Sequence, residues 1–457
     1  MCGMNRKIYQ NLLDWKARYA DKYALLIEGA RRVGKSYVVE AFAKAEYERH
    51  LIIDFSKTSP AVKRIFGEYL DNLDEFFLQL EMRTHVHLVP GKSLVVFDEV
   101  QRFPRAREAI KHLVADGRFH YIETGSLISI KKNIEGILIP SEEMRLQMYP
   151  MDFEEFLEAT GREGMIPLIR ARFEQRRPMG AADHRLAMEA FRQYLVVGGM
   201  PQAVAAFADG MDIAGAETAK RMILRLYADD MGKFAGRLKD RVRQIWKSIP
   251  AALGRPVKRY TPGLAGEGTR MRDILAPFNW LEESMTVNVA RNVTDPNIGF
   301  SLNAEENSLK CYMADTGLLV SAAFPDGALG QDGVAWKLLG GKLEFNKGMM
   351  VENAVAQMLR ASGRELFFHF NADRTDASKR MEIDFLLAKR AATSRRNVIA
   401  LEVKSGRDYT TVSLDKFKKR FPGYLAKACV IHPGDLSERE GVLYLPLYMA
   451  GLLGEGT

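Results

Sequence analysis

The chain has 457 residues, 47% of them hydrophobic and 27% charged, with a formal net charge of +8. That length exceeds one ordinary core and asks for roughly two to four domains, while the composition excludes a disordered or fibrous chain. Cys2, Cys311 and Cys429 are too few and too far apart for a disulfide framework or a thiolate metal site, and no apolar run reaches the ~18 residues of a membrane-spanning helix.

The segment Met1 to Ala20 is polar and amphipathic rather than leader-like, so a cytoplasmic protein with no membrane association is expected. Apolar runs at Tyr23 to Glu28, His50 to Phe55, Ser93 to Phe97 and His120 to Glu123 predict strands, and helical periods separate them. Alternation of that kind predicts a mostly parallel α/β sheet over residues 1–150. From Asp152 to Tyr227 the pattern turns helical, interrupted by Gly198-Gly199 and Pro201, and reads as a lid or connector over 151–227.

Residues 231–260 carry Lys233, Arg237, Lys239, Arg241, Arg243, Lys247, Arg255, Lys258 and Arg259 against one acid, Asp240. Helices followed by an alternating run, Thr286 to Val293, predict a basic winged-helix-like module over 228–335. A Gly/Asp-rich stretch, Pro325 to Gly341, precedes a last α/β domain over 336–457. It has a helix at Gly348 to Ala361 and strands at Leu366 to Phe370, Met381 to Ala388, Val398 to Val403 and Ala428 to His432.

The clearest chemistry lies in Gly29-Ala30-Arg31-Arg32-Val33-Gly34-Lys35-Ser36, which matches G-x-x-x-x-G-K-[ST] between a predicted strand and a predicted helix starting at Tyr37. The glycines let backbone N–H groups close around phosphates, and the helix N-terminus adds partial positive charge. Lys35 is expected on the β/γ-phosphates of ATP and Ser36 on Mg²⁺. Leu94 to Phe97 is a buried strand ending in Asp98 and Glu99; Asp98 would hold the Mg²⁺ shell and Glu99 would activate the attacking water. At the next strand end, Thr124 or Ser126 would set a polar group beside the γ-phosphate or simply cap a helix.

A second constellation sits in the last domain. Glu382-Ile383-Asp384 and Glu402-Val403-Lys404 lie on neighbouring predicted strands, where residues two apart share a face. With Glu352 on the preceding helix, Asp384, Glu402 and Lys404 resemble the PD-(D/E)XK nuclease core. The resemblance implies Mg²⁺ on Glu352, Asp384 and Glu402, and Lys404 as the catalytic cation. The same residues also read as charges that merely pair, and Trp246 in the basic stretch reads equally as core or as a stacking platform.

Asp98-Glu99-Val100-Gln101, Thr124-Gly125-Ser126 and Tyr149-Pro150-Met151-Asp152-Phe153-Glu154-Glu155-Phe156 follow one another in an order resembling an AAA-type ATPase family of bacteria and archaea. In it an ATPase core is joined to a C-terminal domain of unknown function. Tyr194 to Pro201 resembles its GG-x-P connector, and Lys310-Cys311-Tyr312-Met313-Ala314-Asp315-Thr316-Gly317-Leu318 its Y-x-x-D-x-G-L signature. Where relatives often carry Gly-Arg, this chain has Met144-Arg145, leaving Arg145, or Arg118, as the candidate arginine for γ-phosphate charge in cis or in trans. The expected function is ATP hydrolysis coupled to nucleic acid, DNA ahead of RNA, with cleavage by the nuclease-like domain as an option and a homo-oligomer allowed. The alternative is a nucleotide-gated signalling or defence switch that binds a protein partner.

Overall fold

Ala24–Gly29 (β1) and Ser93–Asp98 (β3) are buried at every position, as inner parallel strands covered on both faces must be. They belong to a computed structural model that describes residues 5–126, 140–297, 299–324, 334–340, 347–373, 375–376, 379–389 and 396–455. Cys2 and most of the Pro325 to Gly341 stretch lie outside the described residues. The chain divides into two units, one built on Gly3–Tyr149 and the other on Pro150–Glu282 with Thr286–Thr457. No described helix is long and apolar enough to cross a membrane.

In the first unit, β1 and β3 join Arg49–Asp54 (β2), His120–Gly125 (β4) and Glu143–Met148 (β5). Every pairing is parallel, and the order is β2-β3-β4-β1-β5. Chain order is therefore not spatial order: β4 is inserted between β1 and β3, so its C-terminal end stands between theirs. The helices Ile8–Arg18 (α1), Lys35–Glu46 (α2), Pro60–Glu68 (α3), Leu73–Thr84 (α4) and Pro104–Asp116 (α5) complete the unit. Phe55, Phe66, Phe76 and Phe97 are essentially fully buried in the core, with Phe55 and Phe97 ring centroids 5.7 Å apart.

The second unit starts with five helices, Phe153–Ala159, Met165–Gln175, Ala181–Val197, Pro201–Ala208 and Ile213–Phe234, in the region read as a connector. After the basic helix Lys239–Leu253 comes an eight-stranded mixed sheet. Its strands are Val287–Val293 (β6), Ala304–Met313 (β7), Leu366–Asn371 (β8), Met381–Ala388 (β9), Val398–Val403 (β10), Leu425–His432 (β11), Ser437–Arg439 (β12) and Val442–Pro446 (β13). The order is β12-β13-β11-β10-β9-β8-β6-β7.

This corrects the winged-helix expectation. The β6–β7 hairpin is not a free wing, because β6 pairs with β8 in parallel, Ala290 opposite Leu366. Six of the seven β6 residues are buried, as expected of a strand paired on both sides inside a sheet rather than of a solvated wing. Trp246 is core as well, 7% exposed and edge-on to Tyr227 at 6.0 Å.

The connector glycines and the Asp315 signature form one buried junction. Asp315, fully buried, accepts hydrogen bonds from the backbone N–H of Gly199, from Leu318 N at 2.8 Å and from Gln357 Nε2 at 3.2 Å. Burial raises its pKa, and those donors work against the rise. A Cβ on Gly199 would stand 2.0 Å from the Met151 carbonyl oxygen, and one on Gly317 2.3 Å from that of Val197. Backbone meets backbone here, so glycine is required by close approach. Gly199→Ala is predicted to cost about 2–4 kcal/mol in urea unfolding, whereas Gly406→Ala, with nothing within 4 Å of its Cβ, stays near wild type. Equal midpoints for the two variants would contradict the junction.

Candidate nucleotide site

The loop from β1 to α2 is shaped by backbone geometry that only certain residues adopt. Gly34, with φ 99°, caps α2 from the left-handed region, and Arg32 has φ 69°. Gly29 lies against β5: an added Cβ would be 2.5 Å from the Met148 carbonyl oxygen. Arg6 braces the loop from outside the motif. It is buried and donates to Val33 O and Tyr149 O, both at 2.7 Å. Ala30 and Val33 are buried, Arg31 is half-buried, and Tyr37 on the first turn of α2 is 52% exposed.

Lys35 is buried and donates to the carbonyls of Gly29 and Ala30, each at 3.0 Å. Burial pushes its ammonium down to about 8, against the pull of Glu99 and Asp98. Ser36 Oγ donates to Asp98 Oδ1 at 2.9 Å, and the Thr124 hydroxyl donates to the same oxygen. Two strand ends and the first turn of α2 thus meet at one carboxylate, which the inserted position of β4 makes possible. The Thr124 oxygen also accepts from Glu99 N at 3.4 Å.

Glu99 follows Asp98 with φ 56°, a left-handed conformation uncommon outside glycine that turns the chain out of β3 into the short helix Val100–Arg102. Gln101 Nε2 donates to Glu99 Oε2 at 2.6 Å, fixing the carboxylate beside the loop. The donor set fits Mg²⁺: the Ser36 hydroxyl and the Asp98 carboxylate are hard oxygens already in contact.

Among the described residues, neither candidate arginine is seen in a hydrogen bond or ion pair with the phosphate loop. Arg145, on β5 opposite Leu26, pairs with Glu143 at 3.1 Å and Glu28 at 3.8 Å. Those acids belong to a buried network that also takes a bidentate pair from Arg107 at 2.8 Å and includes Glu123, whose pKa burial and Glu143 hold well above the usual range. Arg118 pairs with Asp116 and Asp74 before β4, at the far end of the strand from Thr124.

The second constellation departs from its expectation. Asp384 Oδ2 accepts from Val403 N at 2.8 Å, so β9 and β10 do bring Asp384 beside Glu402. Among the described residues, however, Glu352, Asp384 and Glu402 do not offer three ligand oxygens within 4.8 Å of one another. Lys310, on β7, intervenes: its Nζ lies 3.3 Å from Glu352, 3.2 Å from Asp384 and 2.7 Å from Glu382. Lys258 also pairs with Glu352, Tyr312 donates to it at 2.6 Å, and Lys404 is taken by Glu402 at 2.7 Å. Though burial opposes ionisation, Lys310 and Lys258 hold the Glu352 carboxyl down to about 2. The metal assignment to Glu352, Asp384 and Glu402 does not fit this arrangement, because an internal ammonium group already pairs with each acid, although Glu402 Oε2 stays buried without a hydrogen-bond partner. Sequence reasoning missed Lys310 and Arg6; a lysine inside the otherwise apolar run Leu309 to Ala314 is the one signal that pointed to the former.

Comparison with known proteins places three matches along the chain. Residues 21–157 match the AAA domain family, 188–329 a domain of unknown function (DUF8612) and 347–449 a second domain of unknown function (DUF4143). No curated protein matches. Among solved structures, a Walker-type ATPase of Pyrococcus abyssi aligns at 16% identity and TM-score 0.40, over 70% of this chain and 95% of its own. Cdc6p of Pyrobaculum aerophilum aligns at 12% identity and TM-score 0.26, over 74% of this chain and 94% of its own. The first unit carries an AAA-type P-loop ATPase domain, joined to a C-terminal half whose matched families have no assigned function.

Proposed function

We propose that this chain binds ATP with Mg²⁺ and hydrolyses it, and that its nucleotide state is coupled to nucleic acid gripped by the basic helix Lys239–Leu253. The observation that carries the hydrolytic part is the Ser36–Asp98 hydrogen bond of 2.9 Å, with Thr124 on the same carboxylate oxygen. Ser36 and Asp98 would hold the Mg²⁺, which supplies charge neutralisation at the β- and γ-phosphates. Lys35 binds the phosphate oxygens once it leaves its two carbonyl partners. Glu99, oriented by Gln101, accepts the proton of the attacking water. Arg145 would act only in trans, or after release from Glu28 and Glu143.

The nucleic-acid part rests on charge. Lys239, Arg243 and Lys247 recur every four residues on one exposed helix face, and none forms an ion pair among the described residues. Lys258 and Arg259 do not add to that face: the first pairs with Glu352 and the second stacks 3.7 Å from the Phe370 ring. The lysine-filled acid cluster favours a grip without cleavage. It also favours the rival reading, a nucleotide-gated switch on a protein partner, which predicts an ATPase rate indifferent to DNA and RNA.

Glu99→Gln is expected to retain ATP binding while losing Mg²⁺-dependent turnover by about 100-fold or more, and DNA is expected to stimulate the wild type. Undiminished turnover in Glu99→Gln removes that residue from the mechanism. Reversing Lys239, Arg243 and Lys247 to Glu is expected to flatten the salt dependence of DNA binding by a slope of about 2–3; an unchanged slope sends the nucleic acid elsewhere.

ATP binding is also expected to depend on pH. A phosphate beside Lys35 raises its pKa again, so binding takes up a proton once the pH exceeds the free value of about 8. Affinity is then constant below that value and weakens as pH rises through it, by up to about tenfold per unit. Titration calorimetry in buffers of different ionisation enthalpy reads the proton directly; affinity that does not change above pH about 8 contradicts the buried-lysine account.

A further inference from the structure

We infer that the Lys310 ammonium is the resident cation of the Glu352–Glu382–Asp384 carboxylate cluster, standing where a divalent metal would stand, and that this cluster works without a metal. The inference does not depend on whether that unit binds nucleic acid.

The geometry is that of an ammonium site. Lys310 Nζ meets one oxygen from each of three carboxylates at 2.7–3.3 Å, which are hydrogen-bond distances rather than the roughly 2.0–2.6 Å of Mg²⁺ or Ca²⁺ coordination. The cation comes from the neighbouring scaffold rather than from solvent. Its side chain is 0% exposed, and its Nζ lies 5.2 Å from the Phe368 ring centroid, a further cation-binding contact. Glu352 is closed from its other side by Lys258 and by the Tyr312 hydroxyl.

Internal ammonium groups offset all but one of the cluster's negative charges. Three acids meet two lysines here, and the adjacent Glu402 has Lys404 to itself. A divalent ion entering the cluster would have to displace a buried ammonium from three carboxylate contacts. The strand alternation that aims Lys310 and Tyr312 at the same helix, Lys347–Ala361, fixes the arrangement in the fold.

The test is a Mn²⁺ titration of the nucleotide-free full chain, followed by electron paramagnetic resonance, on wild type, Asp384→Asn, Lys310→Met and the double variant. Wild type and Asp384→Asn are expected to give the same isotherm within twofold. Lys310→Met is expected to gain a site at least tenfold tighter, which adding Asp384→Asn removes. A wild-type Mn²⁺ site that Asp384→Asn abolishes would overturn the inference, as would wild-type cleavage of DNA in Mg²⁺ or Mn²⁺ that Asp384→Asn stops. A folded Lys310→Met protein with no added Mn²⁺ uptake would also overturn it. Should Lys310→Met fail to fold, the comparison of wild type with Asp384→Asn decides by itself.

Discussion

One oxygen, Oδ1 of Asp98, accepts hydrogen bonds from the hydroxyls of Ser36 and Thr124, and the first unit is arranged around that meeting. A buried carboxylate needs donors, and these two come from elements far apart in sequence. Their convergence requires β4 between β1 and β3, which the parallel crossovers deliver. Arg6 then ties the phosphate loop to the end of β5, and the same strand end leaves no room for a side chain at Gly29. Loop, metal-binding pair and water-activating acid thus lie at the C-terminal ends of adjacent strands, the usual place for ligand chemistry in an open α/β sheet.

The second unit solves a different problem, the burial of many charges without solvent. Asp315 is satisfied by backbone N–H groups and by Gln357; Glu217 pairs with Lys220 and Arg221 and accepts from Ser321; Glu352 meets Lys310, Lys258 and Tyr312. Such clusters add little net stability over an apolar core, but removing one partner leaves an uncompensated charge. They specify which strand and helix faces meet. The residues that most resemble a nuclease site are part of these internal clusters, while Lys239, Arg243 and Lys247 on the helix Lys239–Leu253 are exposed.

How much of this was legible in the sequence depended on whether the signal was local. The phosphate loop, its flanking strand and helix, and the Asp98-Glu99 strand end could be read because each is a short pattern with a fixed backbone consequence. Strand β5 could not: Glu143 to Met148 alternates charged and apolar residues that look like surface, and only its pairing with β1 and the Arg107–Glu143 pair explain them. The strand order, the Thr124–Asp98 contact and the Arg6 brace are long-range facts with no local trace. In the C-terminal half the reverse error occurred. Asp384, Glu402 and Lys404 were found at the right strand positions, yet the spacing could not reveal that Lys310, more than seventy residues earlier, fills the space between the acids. The hairpin Val287–Met313 looked independent because nothing local shows that β6 pairs with β8.

The central claim is that Ser36 and Asp98 together hold the metal that serves ATP hydrolysis. Metal rescue tests it most directly: the Mg²⁺-dependent rate of Ser36→Cys is measured beside its rate in Mn²⁺ and Cd²⁺, whose softer character suits a thiolate. The account predicts that the variant loses most of its Mg²⁺ activity and recovers in Cd²⁺ relative to wild type. An equal loss in every metal, or no loss in Mg²⁺, would contradict it, because Ser36 would then be shaping the loop without touching the ion.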